Sequence, residues 1–286
     1  MKLKKYMTLG VEKFFWLCAI LSLLALLLIL GFLLKEGLPP LFSIGFKSFL
    51  LGQRWKPLEE TFGIFPMIVA TVTATAGAIL LGGFIGLFTA LFLAEVASPK
   101  AARLIRPLIQ LLAGIPSVVF GFFGLVLIVP WIANRFGGPG NSLLATILIL
   151  SVMILPTLAS ISETALRAVP QEYREGSLAL GASPMETLFK VTLPAAKNGI
   201  IAAFVLGIGR AVGETMAVVL VCGNRPQIPQ SLLDPIRPMT STIAMEMSYS
   251  SGLHQEALFA IGVILLIFIV ALNLSVNYIL RGNKDL

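Results

Sequence analysis

The sequence predicts an all-α, polytopic membrane protein of six transmembrane helices with one helical polar loop. Three observations carry this. Of the 286 residues 57% are hydrophobic and only 12% are charged, with a mean hydropathy of +0.94. A soluble domain is usually about a quarter charged, so the apolar excess faces lipid and is not an oversized core. Six stretches reach the roughly 20 apolar residues a helix needs to cross a bilayer. One segment, residues 169–199, is far more polar than the rest. The whole chain, 1–286, reads as a single transmembrane domain.

The expected spans are about 14–34, 64–94, 104–133, 143–166, 196–222 and 256–280. The first has a basic start, but its apolar run exceeds the core of a signal peptide, so it reads as a retained signal-anchor. Pro39 and Pro40 stop it. In the 35–63 loop, "LFSIGFKSFLL" is amphipathic and suits an outer-interface helix. Span two is rich in small residues. Gly82 and Gly86 form one small-xxx-small pair, and Gly209 and Gly213 in span five form another, both suited to close helix approach. With the N-terminus in the cytoplasm, thirteen Lys and Arg fall inside and seven outside, which places both termini inside. The formal charge of +7 therefore reads as topology and not as nucleic-acid binding. Cys18 and Cys222 support neither a disulfide framework nor a metal site.

The inside loop after span four, 169–195, reads as two short helices with a sharp turn. Pro170 suits a first helical turn and Gln171–Glu172 suit the positive end of the dipole. Gly181 is placed for a left-handed C-terminal cap. Ser183-Pro184-Met185-Glu186 then spells a capping box, and the second helix stops near Pro194.

Span five carries Arg210 and Glu214 in its middle. Each charge at a helix centre costs about 2.5 to 3.5 kcal/mol, so such residues face the bundle interior or water. Four apart on a helix, the two are expected to share a face and touch. Either they clamp neighbouring helices, or Arg210 meets an anion in passage while Glu214 steadies it. The second reading is preferred, because the guanidinium fork matches two oxyanion oxygens. Thr215 and Ser241/Thr242 are lesser candidates, with helix packing the preferred role. Gly114, Pro116, Ser117, Gly121 and Gly124 interrupt span three and suit either a tight contact or a gate and hinge. His254, Glu246 and Glu256 read as outer-rim residues.

Glu175-Gly-Ser-Leu-Ala-Leu-Gly181, followed nine residues later by Val191-Thr-Leu193-Pro194, resembles the EAA loop of ABC-importer permeases. It departs in having Gly176 and Ser177 for two alanines and Val191 for isoleucine. "AGIPSVVFGFFG" (113–124), "GRAVGETMAV" (209–218) and "WKPLEETFGIFPMIVATVTAT" (55–75) resemble the permease subunits of the bacterial phosphate ABC importer, of the PstC rather than the PstA type. The resemblance covers about residues 11–280. It implies a six-helix, MetI-like permease that forms the pathway with a homologous permease subunit (PstA-like). It further implies a dimer of nucleotide-binding ATPase subunits (PstB-like) and an extracytoplasmic phosphate-binding protein (PstS-like). It implies that Arg210 and Glu214, with Thr215 beside them, belong to the substrate pathway. Glu175, Gly181, Ala182, Ser183, Pro184, Leu193 and Pro194 become the ATPase-coupling element. No cofactor or metal is expected on this chain, and ATP with magnesium is expected on the partner ATPase.

No Gly-x4-Gly-Lys-Ser/Thr occurs, and Gly207-Ile-Gly209-Arg210-Ala-Val-Gly213 has the wrong spacing for a dinucleotide site. Importers of molybdate or sulfate remain as alternatives in the same class. A secondary carrier or channel would need no EAA-like loop. An intramembrane enzyme would need paired carboxylates or a metal cluster within the spans.

Overall fold

The computed structural model describes the backbone of residues 2–282 and the side chains of 11–275. Lys2, Lys4, Lys5, Arg281 and Lys284, counted above for orientation, lie outside the described side chains. Among the described residues, five stretches are long and apolar enough to cross a membrane: Val11–Ser43, Phe65–Val96, Ser117–Phe136, Leu143–Arg167 and Leu253–Ser275. A sixth, Lys197–Gly213, qualifies when joined to Pro184–Ala195, from which it bends by 67°.

Helix α1 (Lys2–Gly37) is held at its end by α15 (Leu253–Gly282). Phe32 meets Phe259 edge-to-face at 5.5 Å. Gly37 allows the approach: a Cβ there would lie 2.7 Å from the Phe259 carbonyl oxygen. The proline pair does end α1, and the chain re-enters helix at α2 (Pro39–Ser43) and α3 (Phe46–Leu51). Each is buried on one side only: Leu41 and Phe49 are buried while Phe42 and Phe46 are exposed. A two-residue hairpin follows, with Trp55–Lys56 (β1) paired to Thr61–Phe62 (β2).

The centre of the bundle is α4 (Phe65–Leu91) against α8 (Leu143–Arg167). On α4, Ala70, Ala74, Ala78, Gly82, Gly86 and Ala90 recur every four residues and are all buried. This row of small residues lets α8 come close, because lipid offers no hydrophobic drive and packing must supply the contact. A Cβ at Gly82 would stand 2.6 Å from the Ser151 carbonyl oxygen, and one at Gly86 2.8 Å from Leu158 Cβ. The other small pair differs: Gly209 and Gly213 have nothing within 4 Å of where a Cβ would be. Contact with α12 (Lys197–Gly213) is made instead at Gly83, against Phe204, and at Gly207, against Leu158.

The third span is not continuous over 104–133. Helix α5 (Pro99–Gly114) ends before Ile115 and Pro116, which are extended with ψ of 128° and 140°, and α6 (Ser117–Phe123) begins after them. Pro116 causes this by pushing the preceding residue out of the helical region. The span proper is Ser117–Phe136, continuing through a π turn into α7 (Val129–Phe136). The fifth span is broken too. Helix α12 stops at Gly213, Glu214 is extended (ψ 130°), and α13 (Met216–Val221) restarts the path. The chain then forms α14 (Met239–Glu246) and enters α15. One end of the bundle, the hairpin end, thus gathers 38–64, 137–142 and 222–252. The opposite loop end gathers 97–98 and 168–196.

Candidate functional site

The break in span five decides where its two charges go. Were the helix to continue, Arg210 and Glu214 would stack on one face. Because Glu214 is extended, they part, and no ion pair joins them among the described residues. Glu214 Oε1 accepts from the Ala217 N–H at 3.2 Å, which caps the restart of the helix. The Glu214 carbonyl, freed by the break, accepts from Thr240 Oγ1 at 2.9 Å. Thr215 Oγ1 donates to the Gly213 carbonyl at 3.2 Å. Side chains thereby satisfy the freed backbone groups, which a broken membrane helix requires. A cavity of about 10 Å³ beside Glu214, lined in part by Thr71, Thr75, Thr146 and Thr240, is the size of one water.

Arg210 is half-buried, and its Nη1 donates to Thr157 Oγ1 of α8 at 3.2 Å. No described carboxylate pairs with it. Exposed Leu206 and Gly213 share its side of α12. Thr157 itself escaped the sequence reading; its signal is a place in the polar lane Thr157, Ser160, Thr164 on one face of α8. A guanidinium with one neutral partner keeps most of its donors for a ligand.

The span-three candidates separate into two groups. Gly114 and Pro116 are exposed and Ser117 half-buried, at the two-residue break. Gly121 is a packing residue: a Cβ there would lie 2.6 Å from Ala217 Cα. Gly124 likewise fits against Ile149 and Val221. Ser241 and Thr242 are fully buried, and Thr242 Oγ1 donates to the Pro238 carbonyl at 3.2 Å, in keeping with packing.

The polar loop forms as expected, except that Pro170 is the N-cap of α9 (Gln171–Ala179) rather than within its first turn. Gly181 adopts φ +89°, its N–H donating to the Leu178 carbonyl and that of Ala182 to Ser177, so two of the orphan carbonyls of α9 are satisfied. Ser183 and Glu186 complete the capping box of α10 (Pro184–Thr187), which runs on through a π turn into α11 (Leu193–Ala195). The Ser183 backbone N–H holds the Glu186 carboxyl down to about 2, with help from its hydroxyl and Lys190. Glu175 accepts from Gln171 at 2.7 Å. Ser177 and Thr187 lock the two helices together at 2.9 Å. Arg174 ties α9 to the bundle, 2.6 Å from Glu95 and 2.9 Å from the Leu166 carbonyl. Leu180 is 91% exposed, with Met185 and Tyr173 also largely exposed. Three large apolar or aromatic side chains are thus exposed on a polar loop.

The reading of Glu246 and His254 as rim residues needs correction. Glu246 is only 4% exposed. Arg237 Nη1 lies 2.6 Å from its Oε1, and Trp55 Nε1 donates to Oε2 at 2.9 Å. His254 Nε2 is 2.8 Å from the same Oε2. One buried carboxylate thus pins the hairpin, the segment before α14, and α15 together. Glu256 is half-buried.

Comparison with known proteins agrees with this architecture. A "Probable ABC transporter permease protein YqgH" of Bacillus subtilis is 37% identical, over 93% of this chain and 89% of its own. The "Phosphate transport system permease protein PstC" of Pasteurella multocida is 35% identical, over 85% and 82%. An inward-facing structure of the MetNI methionine ABC transporter shares the fold at TM-score 0.59 and 21% identity, covering 80% of this chain and 99% of that one. Residues 82–284 match the model of the binding-protein-dependent transport system inner membrane component, and the chain belongs to that family.

Proposed function

We propose that this chain is a permease subunit of an ATP-driven importer of inorganic phosphate. Relatives named for phosphate transport favour this substrate over molybdate or sulfate. The observation that carries the reading is Arg210, half-buried in a broken span and held, among the described residues, only by the Thr157 hydroxyl. A guanidinium turned to acyl chains would be costly, so this face of α12 belongs to a water-accessible path. In that path it lowers the barrier for an oxyanion and still lets it leave. Glu214 and Thr215 set the break that ends α12 just after Arg210. Gly114, Pro116 and Ser117 provide the hinge, with Gly121 as its packed anchor.

The chain is one transmembrane domain with both termini in the cytoplasm. It forms the pathway with a homologous permease subunit, receives phosphate from an extracytoplasmic binding protein, and carries no ATP site. Leu180, Met185 and Tyr173, presented by Gly181, Ala182, Ser183 and Pro184, dock on a nucleotide-binding ATPase dimer that holds ATP and magnesium. Glu175, Leu193 and Pro194 shape the same element. Closure of that dimer pulls on the loop, and the two permease subunits rock to alternate access.

Labelled-phosphate uptake in vesicles containing all partners tests this. Arg210→Gln is expected to abolish uptake with the complex still assembled; uptake at the normal rate overturns the pathway role.

A further inference from the structure

Between α5 and α8, at the loop end, lies a cavity of about 310 Å³ lined by Arg106, Gln110, Ser160, Glu163, Thr164 and Arg167. Glu163 Oε1 receives both arginines: Arg106 through Nε at 2.8 Å and Nη2 at 2.7 Å, Arg167 through Nε at 2.8 Å. Arg167 Nη2 also donates to the Leu93 carbonyl at 2.6 Å. One carboxylate therefore balances two guanidiniums, and no other acid lines the cavity. Neither Nη1 has an acceptor among the described residues. The arginines are 38% and 47% exposed against 10% for Glu163, so the surplus charge faces the opening.

The cavity is not isolated. At 3.6 residues per turn, Thr157, Ser160, Thr164 and Arg167 fall within an arc of about 80° on α8. Thr157 is the partner of Arg210, and Thr164 lies about 10 Å further along at 1.5 Å per residue. A polar lane thus runs from Arg210 to the paired arginines. A bolt between two helices needs one arginine for one carboxylate. The second, with the Gln110 amide and the Ser160 hydroxyl around an open volume, fits a tetrahedral oxyanion, which takes several donors at once; the Thr164 hydroxyl is spent on the Ser160 carbonyl at 2.8 Å.

We propose that the Arg106–Arg167 cavity is a second, exit-side phosphate site, which receives the anion after Arg210 and releases it to the cytoplasm. This rests on the importer reading above. The ligand chemistry is shared with a phospholipid headgroup; the experiment separates the two.

The assembled complex without binding protein is placed in zwitterionic nanodiscs, and the ³¹P linewidth of millimolar inorganic phosphate is followed, resolved from the lipid signal. Wild type and Arg210→Gln are expected to broaden the line. Arg106→Gln/Arg167→Gln is expected to reduce the broadening about tenfold. Gln110→Glu, which puts a negative charge on an exposed position and leaves the ion pairs intact, is expected to do the same and guards against misfolding of the first variant. Unchanged broadening in Gln110→Glu overturns the site. Loss of the phosphate broadening on adding phosphatidylglycerol also overturns it, assigning the cavity to a lipid headgroup. Normal uptake by Arg210→Gln defeats the pathway reading and leaves the linewidth result standing, so the two failures are distinguishable.

Discussion

Arg210 and Glu246 are both charged residues in a predominantly apolar bundle, and the structure treats them in opposite ways. Glu246 is 4% exposed and meets a guanidinium, an indole N–H and an imidazole. Arg210 is half-buried, with a single threonine hydroxyl. A carboxylate whose oxygens are all engaged has no capacity left for a ligand, and its work is to join segments. A guanidinium with most donors uncommitted retains capacity for a ligand. The number of partners, more than depth or charge, is what distinguishes the two ions, and it is the ground for proposing Arg210 as the functional one.

The strongest way to break this comparison is to remove Glu246. Glu246→Ala leaves Arg237, whose side chain is 11% exposed, buried without a counter-charge. Loss of one partner of a buried pair costs about 3–5 kcal/mol. A large fall in the unfolding midpoint of the purified complex is expected, with the hairpin released to limited proteolysis. Arg210→Gln is expected to leave that midpoint nearly unchanged. Equal effects on the two midpoints would erase the distinction.

How much of this was legible in the sequence depends on how far apart the interacting groups lie. The Ser183–Glu186 capping box and the Gly181 cap were readable, because every partner is within a few residues. The presence of long apolar helices such as α4, α8 and α15 was readable from apolar length alone. The break at Glu214 was not, although Gly213 precedes it, because the hydroxyl that satisfies the freed carbonyl belongs to Thr240 in another helix. Treating the span as continuous produced an Arg210–Glu214 pair that does not form. Pro116 was readable as an interruption; that its force on Ile115 sets two residues extended and ends α5 shows only in the fold. The Glu246 cluster spans 191 residues between Trp55 and Glu246, and only the folded chain brings them together.

A sharper test removes the one partner Arg210 has. Thr157→Val keeps the shape of the side chain and deletes the hydroxyl. A hydrogen bond of this kind is worth about 0.5–1.5 kcal/mol net, so stability is expected to move far less than in Glu246→Ala. If Thr157 orients the guanidinium, uptake falls about two- to tenfold with phosphate still handed over by the binding protein. Unchanged uptake would mean that Arg210 needs no orienting partner.

The smallest effect belongs to a third carboxylate, which tests the rule from the solvent side. Glu186 is exposed and well partnered: its Oε2 accepts from the Ser183 N–H at 3.0 Å and its Oε1 lies 3.3 Å from Lys190. Its partners make it structural, like Glu246, but water screens it, so its effect is local. Its carboxyl is held down to about 2, below the ordinary 4.5. The extra hold that the ionised carboxylate gives the cap is therefore fully present above the ordinary value and is lost only as pH falls through about 2. Coupling that depends on this helix is thus expected to be indifferent to the cap between neutral and mildly acidic pH. Glu186→Gln preserves the box, since glutamine can also reach back to the N-cap amide. Ser183→Ala does not, and amide exchange in the first turn of α10 is expected to quicken about fivefold. Faster exchange in Glu186→Gln than in Ser183→Ala would show that the ion pair with Lys190, and not the cap, holds the turn.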